Sequence, residues 1–218
     1  MIVTKATAPS SKDEPVVRKA RTRRSAEETR RDILAMTERL FRERGFGAVS
    51  IADIAAALGM SPANIFKHFH SKNALVDAIF IHQIRLLEQQ IDPLDNSHIP
   101  LDRLRHLARN LMENHRRDLN ANPYIFEMVL MTAKRELACG RYYETVMTAQ
   151  LADIIADGIS AGIYVATDVE AAASTALVAL TSVLHPALIA HDEVDILATR
   201  CDELTAFIDS ALRYGIAK

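Results

Sequence analysis

The sequence is poor in the residues that a turn-rich or disulfide-bonded protein needs. Its 218 residues include seven Gly, seven Pro and two Cys. So few Gly and Pro, beside abundant Ala, Leu, Arg, Glu and Ile, favour helices over an all-β fold. Cys139 and Cys201 lie far apart and form neither a CxxC pair nor a metal-ligand spacing. We therefore expect no disulfide framework, and a reducing cytoplasm fits best.

Catalytic and metal-binding patterns are also missing from the sequence. It has no GxSxG elbow, no phosphate-binding loop, and no Cys or Ser with an identifiable base. His68 and His70 alternate with Phe69, but no carboxylate or cysteine cluster completes a metal site. We expect no enzyme, no metal and no cofactor, with an all-helical, metal-free enzyme as the rival class.

Long apolar runs are limited to one segment without charge, Ala171–Ala190, which is long enough to raise the question of a membrane span. Its seven alanines, its Ser and Thr residues, and His185–Pro186 favour a buried packing helix in a soluble protein instead. Residues 1–24 are polar and basic, so we expect no secretion signal and no membrane partner.

Charge is distributed unevenly along the chain. Residues 1–72 hold 14 Lys and Arg against 8 Asp and Glu, a net +6, whereas residues 73–218 hold 12 against 20, a net −8. A basic third on an acidic remainder is what a phosphate-binding domain on a solvated scaffold looks like. The alternative is that residues 1–24, which supply +5, merely skew the count. We expect these residues to form a flexible basic arm, because they contain almost no large apolar side chains.

Three helices follow the arm. The first has an apolar face and ends at Gly45. Ser50 starts the second, because Ser at a helix start caps the backbone and Asp53 reaches back to it. Gly59 stops this helix in a left-handed conformation, and Ser61–Pro62 starts the third. Two short helices joined this tightly, and sharing a core, predict a helix-turn-helix.

The rest of the sequence predicts longer helices. Ser71 caps a fourth helix, which spans on the order of 30 Å before Asp92–Pro93 and is long enough to link two domains. Five more follow, the fourth of them Ala-rich, opened by a capping box at Thr167–Glu170 and kinked at Pro186. The expected fold is all-α with about nine helices. The expected domains are the arm (1–24), a helix-turn-helix domain (25–72) and a helical domain for effector binding and dimerisation (73–218).

Residues 31–75 resemble the N-terminal domain of the TetR family, the tetracycline-repressor-like regulators. Three segments carry the resemblance at the correct mutual spacing: TERLFRERGF, SIADIAAALG and FHSKNAL. Beyond residue 75 the resemblance thins to the helical layout and the segment DGISAGIYVATD. It implies a sequence-specific transcriptional regulator, a homodimeric repressor that an unknown small-molecule effector releases from palindromic double-stranded operator DNA. The alternative is an architectural or partner-controlled DNA-binding regulator without a small-molecule effector.

The resemblance also implies roles for individual residues. Ser50 and Lys72 match the family's phosphate contacts at two helix starts, and His68 matches a backbone contact. The surface presented to the major groove is formed by Ser61, Pro62, Ala63, Asn64 and Lys67. Asn64 is suited to adenine and Lys67 to guanine or phosphate. Phe66 departs from the family, which usually has Tyr there, so a hydroxyl contact to phosphate is missing.

Two further residue sets are expected in the larger domain. The candidate ligand-binding residues lie on its middle helices, with ordinary core packing as the alternative for each: Met112, His115, Phe126, Met128, Met131, Tyr143 and Met147. The last helix carries an apolar stripe that calls for a partner helix. Its candidate dimer contacts are Leu197, Cys201, Leu204 and Ile208.

Overall fold

The computed structural model describes residues 25–91, 97–132 and 137–215, and within these ranges it contains helices and no strands. The helices are α1 (Ala26–Arg44), α2 (Ile51–Ala57), α3 (Pro62–His68), α4 (Lys72–Gln90), α5 (Pro100–Ala121), α6 (Tyr124–Thr132), α7 (Ala138–Ser160), α8 (Val169–Leu184), the single turn α9 (Pro186–Ile189) and α10 (Val194–Tyr214). The predicted all-α fold is confirmed. The predicted arm, residues 1–24, lies outside the described residues.

The helix-turn-helix arises from local signals. The Ser50 side chain accepts the backbone N–H of Asp53, and the Asp53 carboxylate accepts the backbone N–H of Ser50 at 2.8 Å, which together form the predicted capping box. Gly59 has a φ of +63°, a left-handed conformation that only glycine adopts readily. The chain therefore turns sharply after α2, and α3 begins at Pro62.

We call α1–α3, together with the start of α4, the head. Its core contains large side chains from all four helices: Ile33, Leu40, Phe41, Ile54, Ile65, Phe69, Leu75, Val76 and Ile79. Tyr124, Ile125 and Met128 of α6 belong to the same core. The first turns of α4, which follow the predicted domain boundary at residue 72, therefore pack into the head.

The body is formed by α5–α10, with the second half of α4 packed against them, and α6 contacts α5 and α9 as well as the head core. Ile84 and Leu87 of α4 are buried in its core, whereas the neighbouring Leu86 is exposed. Arg109 of α5 donates two hydrogen bonds to Asp202 of α10, at 2.8 and 2.5 Å. This ion pair joins the first and last helices of the body.

The Ala-rich segment is a packing helix. By length and composition alone, Val169–Ile189 is suited to cross a membrane, but α8 packs against α5, α7 and α10. Its N-cap is Asp168, which accepts the N–H of Ala171 at 3.0 Å, so the predicted start at Thr167 is one residue too early. The predicted kink at Pro186 is a break, because α8 ends at Leu184 and α9 starts at Pro186.

The turn before α8 is closed by one aromatic ring. Tyr164 is buried against Gly158 of α7, and its hydroxyl donates to Oδ1 of Asp209 on α10 at 2.8 Å. Asp209 also accepts from Arg213 at 2.6 Å. These contacts tie the end of α7 to α10.

Candidate nucleic-acid interface and ligand cavity

Helix α3 presents most of its side chains to solvent. Its apolar anchor, Ile65, is fully buried in the head core. The predicted groove-facing residues lie on the outer surface: Ser61, Pro62, Ala63 and Lys67 are exposed, and Asn64 is partly exposed. Phe66 is 50% exposed on the same surface. An exposed aromatic ring is suited to contact a thymine methyl, and the polar side chains beside it are suited to contact base edges and phosphate.

Two contacts define how α3 is held. The carbonyl of His68, its last residue, accepts a hydrogen bond from Arg30 of α1 at 2.9 Å. The Arg30 guanidinium also lies 4.1 Å from the centre of the Phe69 ring. Toward the other end, the Asn64 side-chain nitrogen is 3.6 Å from the Met60 sulfur, a weak acceptor. The Asn64 amide thus has most of its hydrogen-bonding capacity available for another partner.

The two predicted phosphate contacts, Ser50 and Lys72, are both engaged within the protein. The Ser50 hydroxyl donates to Oδ2 of Asp53 at 2.5 Å, and this bond lowers the pKa of the Asp53 carboxyl. Nζ of Lys72 donates to the carbonyl of Phe46 at 2.5 Å and lies 4.1 Å from the Phe46 ring centre. Burial lowers the pKa of Lys72. An ammonium group has three donors, so Lys72 keeps two for a phosphate.

The turn between α1 and α2 is held from the body as well. The backbone N–H of Phe46 donates to Oε2 of Glu127, on α6, at 2.8 Å. Nearby, Nε of Arg42 donates to Oδ1 of Asn122 at 3.1 Å. Because α6 also contributes to the head core, the head and the body share packing and hydrogen bonds.

A cavity of about 740 Å³ lies in the body. Helix α4 contributes Phe80, Gln83, Ile84 and Leu87 to its lining. Other walls come from α5, α6, α7 and α8, including Leu119, Ile125, Val129, Leu137, Leu177 and Leu184. Its surface is mainly apolar, with polar side chains at several positions, which is typical of small-molecule sites.

The cavity corrects the predicted ligand-binding set. His115 and Tyr143 line it, but Met112 and Met147 are buried in the body core and Met128 in the head core. Their side chains fill space between helices and are not part of the cavity lining. The side chains of Phe126 and Met131 lie outside the described part of the structure. The lining residues of α4 were not predicted from the sequence, although Phe80, Gln83, Ile84 and Leu87 follow a helical i, i+3, i+4, i+7 spacing.

Two polar side chains of the lining, His115 and Tyr143, are partly buried and lie close together. Nδ1 of His115 donates to the carbonyl of Leu184 at 2.8 Å, and burial lowers the pKa of the ring. The Tyr143 hydroxyl is buried without a hydrogen-bond partner among the described residues, and burial raises its pKa. The two ring centres are 5.6 Å apart. Other titratable groups of the lining include Asp118, whose pKa burial raises, and Cys139, whose thiol pKa burial raises to about 12.

Two family models match this chain. "Bacterial regulatory proteins, tetR family" matches residues 33–79, and "Tetracyclin repressor-like, C-terminal domain" matches residues 100–205. The chain belongs to the TetR family. The first match contains most of α1, all of α2 and α3, and the start of α4. The second contains α5–α9 and about half of α10.

Individual relatives agree with this assignment. The HTH-type transcriptional regulator TtgR of Pseudomonas putida is 35% identical over 83 residues, which are 34% of this chain and 40% of TtgR. The chain thus spans about two fifths of the length of that relative. The flavonoid-responsive regulator FrrA has a TM-score of 0.64 at 21% identity, covering 87% of this chain and 99% of FrrA. RolR in complex with resorcinol has a TM-score of 0.58 at 17% identity, covering 86% and 94%. Both structures share the fold.

The outer surface of this TetR-family protein corrects the predicted dimer contacts. Leu197 and Cys201 have no exposed surface and Ile208 is 5% exposed, because α10 packs them against the protomer's own helices. Leu204 is partly buried against the same core. The helices that cover the apolar stripe of α10 therefore belong to the same protomer. Different apolar side chains of α8 and α10 are exposed: Val178, Ile196, Phe207 and Tyr214.

Proposed function

We propose that this protein is a cytoplasmic transcriptional repressor that binds a palindromic operator as a homodimer and is released by a small-molecule effector. The observation that carries the proposal is the double role of α4. Its first residue, Lys72, lies beside the DNA-facing helix, and its residues from Phe80 to Leu87 line the cavity. A ligand that moves α4 therefore also moves the head.

The head supports the DNA-binding part of the proposal. Asn64 and Lys67 are the base-reading residues of α3, with Ser61, Pro62 and Ala63 at its groove-facing start. Phe66 supplies an apolar contact to a thymine methyl in place of the missing hydroxyl. Ser50, His68 and Lys72 contact phosphates, and the basic residues of 1–24 add affinity through counterion release.

The exposed faces of α8 and α10 support dimerisation. We infer that Val178, Ile196 and Phe207 pack against their symmetry mates in a four-helix bundle, because large exposed apolar side chains on adjacent helices favour an isologous interface. In such a dimer the two α3 helices must enter successive major grooves, about 34–36 Å apart. A ligand that favours another separation weakens binding by shifting the population.

The cavity supports ligand control over the alternative of an architectural or partner-controlled regulator. A tightly filled body would favour that alternative, whereas a volume of about 740 Å³ lies within the range of small-molecule sites, roughly 300–1,000 Å³. The flavonoid-responsive FrrA and the complex of RolR with resorcinol agree with a small organic ligand.

Selection of binding sites from random DNA with the purified full-length protein tests the proposal. We expect enrichment of a palindrome whose half-sites are centred about one helical turn apart, or a multiple of one turn. Failure to enrich any sequence would contradict specific DNA binding. Enrichment of isolated half-sites would contradict the dimer. The selected operator then serves to measure release by ligands.

A further inference from the structure

The cavity contains a pair of neutral polar groups among apolar walls. His115 on α5 and Tyr143 on α7 face each other across 5.6 Å between ring centres. The groups that carry full charge at the lining are different residues: Arg141 and Glu144 are exposed, and Asp118 is partly exposed. The His115–Tyr143 pair is therefore distinct from the charged groups of the lining.

The hydrogen-bonding role of each group follows from its partners. Because the Leu184 carbonyl only accepts, Nδ1 of His115 must carry a proton. Burial keeps the pKa of this ring low, so Nε2 is a lone-pair acceptor at neutral pH. The Tyr143 hydroxyl is buried without a hydrogen-bond partner among the described residues. Buried polar atoms in native proteins are usually paired, so this hydroxyl, with the His115 ring beside it, is suited to a ligand group that both donates and accepts.

A hydroxyl group has this combination, since its hydrogen donates and its oxygen accepts. A carboxylate has no hydrogen for Nε2 and would meet the partly exposed Asp118, whereas the cation of the lining, Arg141, is exposed. An ammonium has no lone pair for the Tyr143 hydroxyl and would be desolvated beside two uncharged groups. The flat faces of Phe80 and Tyr143 at the lining favour an aromatic skeleton, because rings pack well in offset or edge arrangements.

We propose that the cavity binds a neutral phenol of two or more rings, whose hydroxyl donates to Nε2 of His115 and accepts from the hydroxyl of Tyr143. That this compound acts as the effector rests on the function proposed above. The binding site itself does not depend on that function.

Four probes with one ring skeleton test the site: 2-naphthol, 2-methoxynaphthalene, 2-naphthoate and 2-naphthylmethylammonium. Titration calorimetry on the full-length protein should give 2-naphthol an affinity about tenfold higher than that of the methyl ether, which cannot donate. Both charged probes should bind more weakly than 2-naphthol. Equal affinity of 2-naphthol and the ether, tighter binding of a charged probe, or no binding of any probe would overturn the proposal.

Matched variants locate the contact. Tyr143→Phe should reduce the affinity for 2-naphthol and for the ether alike, by about tenfold, because both ligand oxygens accept from the Tyr143 hydroxyl. His115→Asn, whose amide can replace Nδ1 toward Leu184, should reduce the affinity for 2-naphthol about tenfold and leave that for the ether unchanged, because the ether has no hydrogen to donate to Nε2. Tyr142→Phe is the control, because the neighbouring Tyr142 packs on the body core and does not line the cavity. Loss of 2-naphthol binding in Tyr142→Phe would overturn the assignment. Unchanged 2-naphthol affinity in Tyr143→Phe would also overturn it, even if His115→Asn does not fold.

Release of the selected operator by 2-naphthol is measured separately. Binding without release would leave the phenol site standing and contradict its effector role. Release without sensitivity to Tyr143→Phe would support ligand control and overturn the phenol site.

Discussion

The backbone nitrogen of Phe46 lies 2.8 Å from a carboxylate oxygen of Glu127, 81 residues away in the chain. Lys72 donates to the carbonyl of the same Phe46. The residue before it, Gly45, has a φ of +80°, and a Cβ there would lie 3.1 Å from the Glu127 carboxylate. A glycine at this position thus allows the close approach of α6. The turn between α1 and α2 is thus held by α4 through Lys72 and by α6 through Glu127.

Glu127→Ala should release this turn. The Phe46 amide loses its acceptor, so we expect its hydrogen exchange, followed by NMR, to become about tenfold faster. Glu127→Gln is the control, because its side-chain oxygen still accepts. Unchanged exchange in Glu127→Ala would mean that the bond contributes nothing to protection in solution.

Substitutions at Asn64 and Lys72 should affect DNA binding differently, because base contacts set specificity and phosphate contacts set affinity. Asn64→Ala should lower the affinity for the selected operator by about 1–3 kcal/mol and barely change binding to random DNA. Lys72→Met, which keeps an apolar stem beside Phe46, should weaken both and reduce the salt slope by about one. If Asn64→Ala weakens both equally, base reading belongs to Lys67, Ala63 or the arm.

Phe207→Glu should convert the dimer to a monomer. Phe207 is 66% exposed in the protomer, so the charge disturbs association and not the core. Sedimentation velocity should detect the monomer, with an unchanged helical circular dichroism spectrum. Phe66→Glu, an exposed aromatic replaced in the head, is expected to stay dimeric. A dimeric Phe207→Glu would locate the interface elsewhere.

Two glycines of α7 should respond oppositely to alanine. A Cβ at Gly158 would overlap the ring of Tyr164, which cannot easily move because its hydroxyl is bound to Asp209. Gly158→Ala should therefore lower the free energy of unfolding by about 1–3 kcal/mol. At Gly140 no atom lies within 4 Å of the added carbon. Gly140→Ala should leave the stability unchanged or raise it by up to about 1 kcal/mol, and chemical denaturation measures both.

The head could be predicted from sequence because its signals are local. The Ser50 cap, the left-handed Gly59 and the Pro62 start each act within a few residues, so spacing alone indicates two short helices and a tight turn. The same signals identified the surface of α3, since the burial of Ile65 fixes which residues face outward.

The body could not be predicted to the same depth, because periodicity indicates that a face is buried but not what covers it. The stripe through Leu197 and Cys201 is as apolar as a dimer contact, yet the protomer's own helices cover it. Likewise Met112 and His115 are close on α5, and only the arrangement of five helices makes one of them core and the other a cavity wall.

The packing of α6 into the head has a practical consequence for regulator engineering. Tyr124, Ile125 and Met128 fill the interior of the head from outside its continuous sequence. A chimera that transplants residues 25–90 onto another sensory module would leave that interior incomplete, with buried side chains facing a gap. A functional graft must bring the segment 122–129 along with the head, together with its Glu127 contact. The unit of exchange in this protein is therefore discontinuous in sequence.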